Sequence, residues 1–270
     1  MGISQTMQIG ASGLNAFSEA TSVTSDNIAN AGSTAYKANQ VRFADMVAGY
    51  LSTMSPDLES AGVGTAIEGI HTDFSQGNFV STSNWSSLAI DGKGFFKVQS
   101  LDSDGNPAGP MYYTRDGNFH MDSQGRLVND VGYAVLDTGG SVITVDDPSE
   151  PEYTDYKIDK SGRIWGTPVD GGDPEELGAQ IGVSAFANEG ALVREGYNLY
   201  SPSAESGEVV DGIAGEEQFG ALKAFNIEGS NVDIAREMIN LIVYQANYTA
   251  NSKSVSSGNQ MLDTTFNMVR

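Results

Sequence analysis

The sequence predicts an α+β protein in which helices at the two ends flank a central antiparallel β domain. Apolar residues at both ends recur at alternating spacings of three and four, which is the period of one helix face. Between about residues 71 and 228 the pattern changes to short alternating runs separated by turn residues, as in successive β-hairpins. We therefore expect a terminal helical domain (1–45 plus 229–270), an extended linker (46–70) and an antiparallel β domain (71–228).

The first helix is predicted from an apolar stripe that begins at Ile3 and continues to Ile28. Asn30 and Gly32 follow this stripe and supply the residues that commonly end a helix. Residues 46–70 then mix Gly, Ser and Pro with scattered apolar residues, without a clear period. This composition predicts the extended linker.

The β domain is predicted from turn signals at short intervals. They include the pairs Asp91-Gly92, Asp116-Gly117, Gln124-Gly125 and Asp211-Gly212. Aromatic residues in the runs between turns are expected to fill the core and to form cross-strand pairs. These are Phe95, Phe96, Tyr112, Tyr113, Phe119, Tyr133 and Phe186.

The second helix is predicted to begin just after Gly229. Ser230 or Asn231 can cap its first turn, and Asp233 places a negative charge near its N-terminus. The apolar stripe then holds its spacing from Ile234 almost to the last residue. The chain therefore reads as helix, β body, helix.

Both stripes contain small or polar residues where a stable coiled coil would have Leu or Ile, for example Gly10, Thr24, Gln245 and Ser252. The stripes can pair with each other, bury themselves against copies of the chain, or pack as ordinary terminal helices on a globular core. Because a polar seam weakens an isolated pair, we favour assembly. The predicted assembly interface comprises Ile3, Met7, Leu14, Phe17, Ile28, Ile234, Met238, Leu241, Tyr248, Val255, Leu262 and Phe266.

The composition excludes several classes of partner. The chain has 35 acidic and 14 basic residues, a formal net charge of −21, and the excess charge falls between two nearly neutral ends. Nucleic acids and anionic membranes bind positive surfaces, so neither is an expected partner. No run approaches the roughly 20 apolar residues that span a bilayer, and the first residues do not resemble a cleavable signal peptide.

Residues for catalysis or metal binding are sparse and scattered. The chain has no cysteine, which excludes disulfides, thiolate metal sites and a cysteine nucleophile. His71 and His120 lie far apart in the sequence, and a D-x-D-x-N run beginning at Asp102 has Tyr113 where a calcium loop needs Glu. We therefore expect no enzyme activity, no catalytic residues, no cofactor and no metal.

Several stretches of this chain resemble the axial proteins of the bacterial flagellar hook and rod. The N-terminal stretch is SGLNAFSEATSVTSDNIANAGSTAYKA, in which a helix leads into an N-I-A-N turn and the aromatic-lysine pair Tyr36-Lys37. In the body the resemblance lies in LAIDGKGFFKV, YTRDGNFHMDSQGRLV and IGVSAFANEGALVREGYNLYSPSAESG. At the C-terminus it lies in EGSNVDIAREMINLIVYQANYTANSKSVSSGNQML. These motifs cover most of the chain and occur in the family's order.

The resemblance implies a structural subunit that polymerises helically around a central channel, with the terminal helices of many copies forming the inner tube. It also implies export through the flagellar type III apparatus without a cleaved signal peptide. The implied partners are copies of the same chain and other flagellar axial, junction and hook-cap proteins. The implied location is the extracytoplasmic hook and basal body of the flagellum.

Within that family, short motifs favour the hook subunit, which links the rod to the filament and transmits torque. They are FADM at residues 43–46, DFSQGNF at 73–79 and SNVDIA at 230–235. The chain length is closer to that of a distal rod subunit, because hook subunits usually carry an additional outer β domain. We interpret the chain as a hook subunit, with the distal rod as the alternative. A secreted oligomeric β-rich adhesin or binding module is a more remote alternative.

Overall fold

The computed structural model of the protein describes residues 3–47, 62–102, 105–145, 153–216 and 218–268. These residues form a helix at each end of the chain and antiparallel strands between them, which confirms the predicted α+β class. Their contacts divide the chain into two compact units. The helical unit contains Met1–Ala31, Ala38–Asp73 and Val232–Arg270, and the β unit contains Gly32–Lys37 and Phe74–Asn231.

The helical unit contains two long helices and a β-hairpin. The helices are α1 (Ile3–Ala29) and α2 (Ile234–Met268), and the hairpin strands are β1 (Asn39–Val47) and β2 (Gly62–Thr72). Both strands contact α1, and α1 contacts α2 along its length.

The hairpin differs from the predicted linker over residues 46–70. Residues 62–70 form most of β2, which pairs antiparallel with β1, so that Phe43 lies opposite Ile67 and Val41 opposite Ile70. The three glycines in this strand weaken its alternating pattern, but pairing with β1 satisfies its backbone hydrogen bonds. Residues 48–61 of the predicted linker lie outside the described residues.

The caps of the two helices also follow from local chemistry. α1 ends at Ala29, just before the predicted Asn30 and Gly32. The cap of α2 is Asp233 rather than Ser230 or Asn231, because the Asp233 carboxylate accepts hydrogen bonds from the backbone N–H groups of Ala235 (3.0 Å) and Arg236 (3.3 Å).

The β unit is built from short antiparallel strands. They are β3 (Phe79–Ser81), β4 (Leu88–Asp91), β5 (Phe95–Leu101), β6 (Pro107–Thr114), β7 (Phe119–Met121), β8 (Leu127–Asn129), β9 (Ala134–Val135), β10 (Tyr153–Ile158), β11 (Arg163–Pro168), β12 (Glu175–Gln180), β13 (Gly182–Ala185), β14 (Val193–Gly196), β15 (Leu199–Ser201), β16 (Val210–Ile213), β17 (Ala221–Ala224) and β18 (Asn226–Glu228). The predicted turns after β4, β6 and β7 are present, whereas Asp211 and Gly212 lie inside β16, where Asp211 pairs with Ser184.

One large sheet organises the β unit. Its strand order is β14-β15-β6-β5-β9-β8-β7, and β13 joins β5 to β16. β10, β11 and β12 form a separate three-stranded sheet, while β17 pairs with β4 and β18 with β3. Side chains of the large sheet, of β4 and β17, and of the three-stranded sheet share one apolar core.

The predicted core aromatics lie where the sequence pattern placed them. Phe95, Phe96, Tyr113, Phe119 and Phe186 are buried, and Tyr112 and Tyr133 pack against the core at its edge. Edge-to-face contacts join several of these rings. The β unit is therefore stabilised by an aromatic core rather than by covalent cross-links.

Candidate assembly surfaces

The most buried face of α1 consists of small residues. Gly10, Gly13, Ala16, Ala20 and Thr24 are buried and follow one another at spacings of three or four, which places them on one side of the helix. A Cβ atom at Gly10 would lie 2.6 Å from Cγ2 of Val255. A Cβ atom at Gly13 would lie 2.7 Å from the side-chain nitrogen of Asn251. The two helices therefore approach as closely as they do because these positions lack side chains.

Large aromatic residues pack against one another beside this small-residue face. The Phe17 ring of α1 lies 5.3 Å from the Phe43 ring of β1 and 6.2 Å from the Tyr244 ring of α2, and the last two rings are 6.0 Å apart. These tilted and edge-on contacts join three elements of the helical unit. Phe17 thus has a partner within the chain.

The end of α1 is fixed to the hairpin by paired asparagines. The amide of Asn27 donates to the backbone oxygen of Asn39 (2.8 Å), and the backbone N–H of Asn39 donates to the Asn27 side-chain oxygen (2.9 Å). Both residues are buried, so the two bonds satisfy polar groups that would otherwise be costly to bury. These two hydrogen bonds hold the end of α1 next to the start of β1.

α2 has two apolar faces. Leu241, Val255 and Leu262 are half-buried on the side that packs within the helical unit. On the opposite side, Ile239 is 62% exposed and Ile242 is 65% exposed, and Met238 and Val243 next to them are also exposed. Exposed apolar side chains grouped on one helix face are typical of surfaces that bind another macromolecule. We call Met238, Ile239, Ile242 and Val243 the outer face of α2.

The residues predicted as one interface differ in how far they are buried within the chain. Met7, Leu14, Phe17 and Ile28 on α1 are half-buried, as are Leu241, Val255 and Leu262 on α2. Ile234, Met238, Tyr248 and Phe266 are exposed. Ile3 begins α1, but its side chain lies outside the described residues. Sequence reasoning missed Ile239, Ile242 and Val243 because it followed a single stripe, although a second apolar spacing is present in MINLIV.

The β unit contains a buried network of charges. The Lys37 ammonium donates to Oε1 of Glu228 (2.7 Å) and to the backbone oxygen of Ser75 (2.8 Å), and both charged side chains are fully buried. The backbone N–H of Gly77 also donates to Oε1 of Glu228 (2.8 Å). A guanidinium nitrogen of Arg115 lies 3.7 Å from Oε2 of the same carboxylate. One buried carboxylate thus connects segments that are distant in the sequence.

Burial and ion pairing change the pKa values of the two cations of this network in opposite directions. Burial lowers the pKa of Lys37 and of Arg115, and the negative charge of Glu228 partly offsets both changes. Removing the carboxylate would leave two buried positive charges without their counter-charge.

Two further properties apply to the residues that the structure describes. Neither of their helices is long and apolar enough to cross a membrane. Their His, Asp and Glu side chains form no group of three or more that could hold a metal ion.

Three protein-family models match this chain at different places. The model "Flagella basal body rod protein" matches residues 7–37. The model "Flagellar hook protein FlgE/F/G D1 domain" matches residues 89–166. The model "Flagellar basal body rod FlgEFG protein C-terminal" matches residues 224–268. Together they cover α1, a large part of the β unit and α2.

Curated relatives match over nearly the whole chain. The chain is 34% identical to the flagellar basal-body rod protein FlgG of Borreliella burgdorferi, over 96% of this chain and 97% of that protein. It is 32% identical to FlgG of Bacillus subtilis, over 97% of each. The flagellar hook protein FlgE of Rhizobium meliloti is 23% identical in an alignment of 417 residues. These matches favour the distal rod, the alternative in our sequence analysis, over the hook.

Proposed function

We propose that this chain, which belongs to the flagellar hook and basal-body rod protein family, is a subunit of the distal rod. The family consists of structural proteins of the flagellar axis, so the chain is not an enzyme. In this proposal copies of the chain stack helically, contact other axial proteins at each end of the rod segment, and reach their location through the flagellar export apparatus without a cleaved signal peptide.

The outer face of α2 is the observation that carries this proposal. It places two isoleucines, a methionine and a valine in solvent, and its exposed side chains lie opposite the side of α2 that packs within the helical unit. Burying each such side chain is worth about 1.5–3 kcal/mol. A helix that is apolar on two opposite sides needs a neighbour on each side.

A second copy of the chain is the neighbour that fits this surface. α2 carries two acidic and two basic residues, so copies can approach through it without the repulsion that the acidic β unit would impose. Where the outer face contacts a different surface of the next copy and the rotation between copies does not close a ring, the contact generates an open helical polymer. The interface that each copy contributes is small. It is repeated along the polymer, and the repeated contacts together stabilise the assembly.

The choice of the rod over the hook depends on length as well as on identity. The FlgG relatives align with this chain from end to end, with 97% of each of two relatives covered. The alignment with the hook protein extends over 417 residues against the 270 residues of this chain, so much of that hook protein has no counterpart here. The motifs that favoured the hook are shorter and carry less weight.

The double variant Ile239→Asp with Ile242→Asp tests the role of the outer face. We expect the monomer to remain folded, with an unchanged circular dichroism spectrum, because both side chains are exposed in the monomer. We expect polymerisation to be lost, measured by sedimentation and negative-stain electron microscopy, because charged groups cannot be buried there without partners. Cells carrying only this variant should be non-motile.

Val131→Asp is the matched control. Val131 is also an exposed apolar residue, but it lies in a turn of the β unit. The control should polymerise as the unaltered chain does. Normal polymerisation of the α2 double variant would contradict the proposal, as would a closed oligomer of fixed size in place of open polymers.

A further inference from the structure

The turn between β14 and β15 presents an aromatic side chain to solvent in a strained backbone conformation. Tyr197 is 78% exposed, the largest exposure among the large apolar side chains of the described residues. Its φ is 51°, and that of Asn198 is 57°, so both loop residues of this two-residue hairpin are left-handed. Such turns favour Asn and Gly, and Tyr is a poor choice for the first position.

The rest of the turn is held firmly. The amide of Asn198 donates to the backbone oxygen of Thr34 (2.7 Å), and the Thr114 hydroxyl donates to the backbone oxygen of Asn198 (2.8 Å). Leu199, the next residue, is buried. The backbone next to Tyr197 is therefore held in place by hydrogen bonds, although the Tyr197 side chain itself is mostly exposed. Asn or Gly at position 197 would suit the fold better, which indicates that Tyr197 serves a contact outside the folded monomer.

A groove elsewhere in the β unit has the shape and chemistry to receive such a side chain. Its volume is about 600 Å³, within the usual range for binding pockets. It is lined by the side chains of Tyr156, Trp165, Thr167, Pro174, Phe225 and the charged residues Asp155, Lys157 and Asp159.

Phe225 and Tyr156, which line this groove, are placed in ways that a surface exposed only to solvent does not require. Phe225 is 39% exposed and has a φ of 58°, a left-handed conformation that is unfavourable for an aromatic residue. Tyr156 is supported from behind by Trp85, with ring centroids 4.7 Å apart. The groove is thus an aromatic cleft that two aspartates and a lysine also line.

We propose that Tyr197 of one copy inserts into the aromatic groove of the next copy, and this inference rests on the proposed polymer. A second copy is the favoured occupant because the groove offers aromatic faces for the ring and the Asp155 carboxylate as an acceptor for the hydroxyl. Tyrosine also adds no charge, so two strongly acidic β units can meet at this point without an additional pair of like charges.

The inference specifies the geometry of the contact. Tyr197 lies in the β14–β15 turn, whereas Tyr156 and Trp165 lie on β10 and β11 of a different sheet. Because the two contact surfaces differ, the pairing is head-to-tail and leaves one free surface at each end of a chain of copies. A repeated contact of this type extends a polymer instead of closing a dimer.

A cysteine-pairing experiment tests this contact directly, because the chain has no cysteine of its own. Tyr197→Cys and Thr167→Cys are made in separate chains, mixed in equal amounts at a concentration well above the critical concentration of either variant, and oxidised. We expect a disulfide-linked dimer that contains one chain of each kind, and little dimer from either variant alone. Absence of the mixed dimer, or dimer formation by Tyr197→Cys alone, would overturn the inference.

A second variant separates this contact from the fold. Tyr197→Asn should not lower the thermal midpoint of the monomer, because Asn suits the turn, yet it should raise the critical concentration for polymerisation at least tenfold. Val131→Asn, at another exposed turn residue, should leave the critical concentration unchanged. If Tyr197→Asn polymerises normally while the outer-face variant of α2 does not, the groove contact is wrong and the proposed function stands. If the unaltered chain forms no polymer, both fail.

Discussion

At the scale of single residues, the carboxylate of Glu228 joins segments that are distant in the sequence. It accepts hydrogen bonds from Lys37 and from the backbone of Gly77, and its partner Lys37 lies 191 residues away in the sequence. The resemblance to the flagellar family singled out Lys37 as part of an aromatic-lysine pair. No local pattern could have identified Glu228 as its partner, because the pairing depends on tertiary structure.

Glu228→Gln should destabilise the β unit by about 3–5 kcal/mol, because it leaves Lys37 and Arg115 buried without a counter-charge. The measurement is a urea unfolding curve of the monomer, followed by tryptophan and tyrosine fluorescence. Glu176→Gln is the control, since Glu176 pairs with Arg163 at 3.5 Å and both side chains are largely exposed. Glu176→Gln should lower the free energy of unfolding by less than about 1 kcal/mol. Equal effects of the two variants would show that burial does not distinguish these ion pairs.

At the scale of elements, the sequence predicted where both helices lie. It predicted less well which of their residues form the contact between them. Heptad reasoning placed large apolar residues such as Leu14 and Met238 in one seam. The structure places Gly10, which the heptad pattern also put in the seam, together with Gly13 in the closest part of the interface, and it leaves Met238 exposed. Small residues give no signal in a hydrophobicity pattern, yet they decide how closely two helices can pack.

Gly10→Val tests this packing of α1 on α2. The new side chain would meet Val255 at less than the normal contact distance, so we expect a loss of about 1–3 kcal/mol in the free energy of unfolding of the helical unit. Circular dichroism at 222 nm during thermal unfolding is the measurement. Asn15→Val places the same β-branched residue at an exposed position of α1 and serves as the control. An effect of Asn15→Val as large as that of Gly10→Val would contradict a close-packed interface at Gly10.

The β1–β2 hairpin shows a second limit of sequence reasoning at this scale. Gly62, Gly64 and Gly69 interrupt the alternation of β2, so its residues resemble a linker when read alone. The strand becomes evident only through its pairing with β1, which no local pattern encodes. The core aromatics of the β unit were predictable because strong turn signals fix where each strand starts and ends.

At the scale of the whole molecule, charge and apolar surface are unevenly distributed along the chain. α2 carries equal numbers of acidic and basic residues and exposes its outer face, whereas the β unit carries most of the excess negative charge. We infer that assembly is driven by burial of the helices and that contacts between the acidic β units are few and uncharged. Composition predicted this division, but it could not distinguish a rod from a hook, because both are polymers of related subunits.

The most direct test of this account is the location of the chain in isolated hook–basal bodies. A short epitope inserted between Gly207 and Glu208, which are both exposed, would be detected by immunogold electron microscopy in the organism that encodes the chain. We predict label along the straight shaft below the hook. Label on the curved hook, or hook–basal bodies that carry no label although the tagged cells are motile, would contradict the proposal that this chain forms the distal rod.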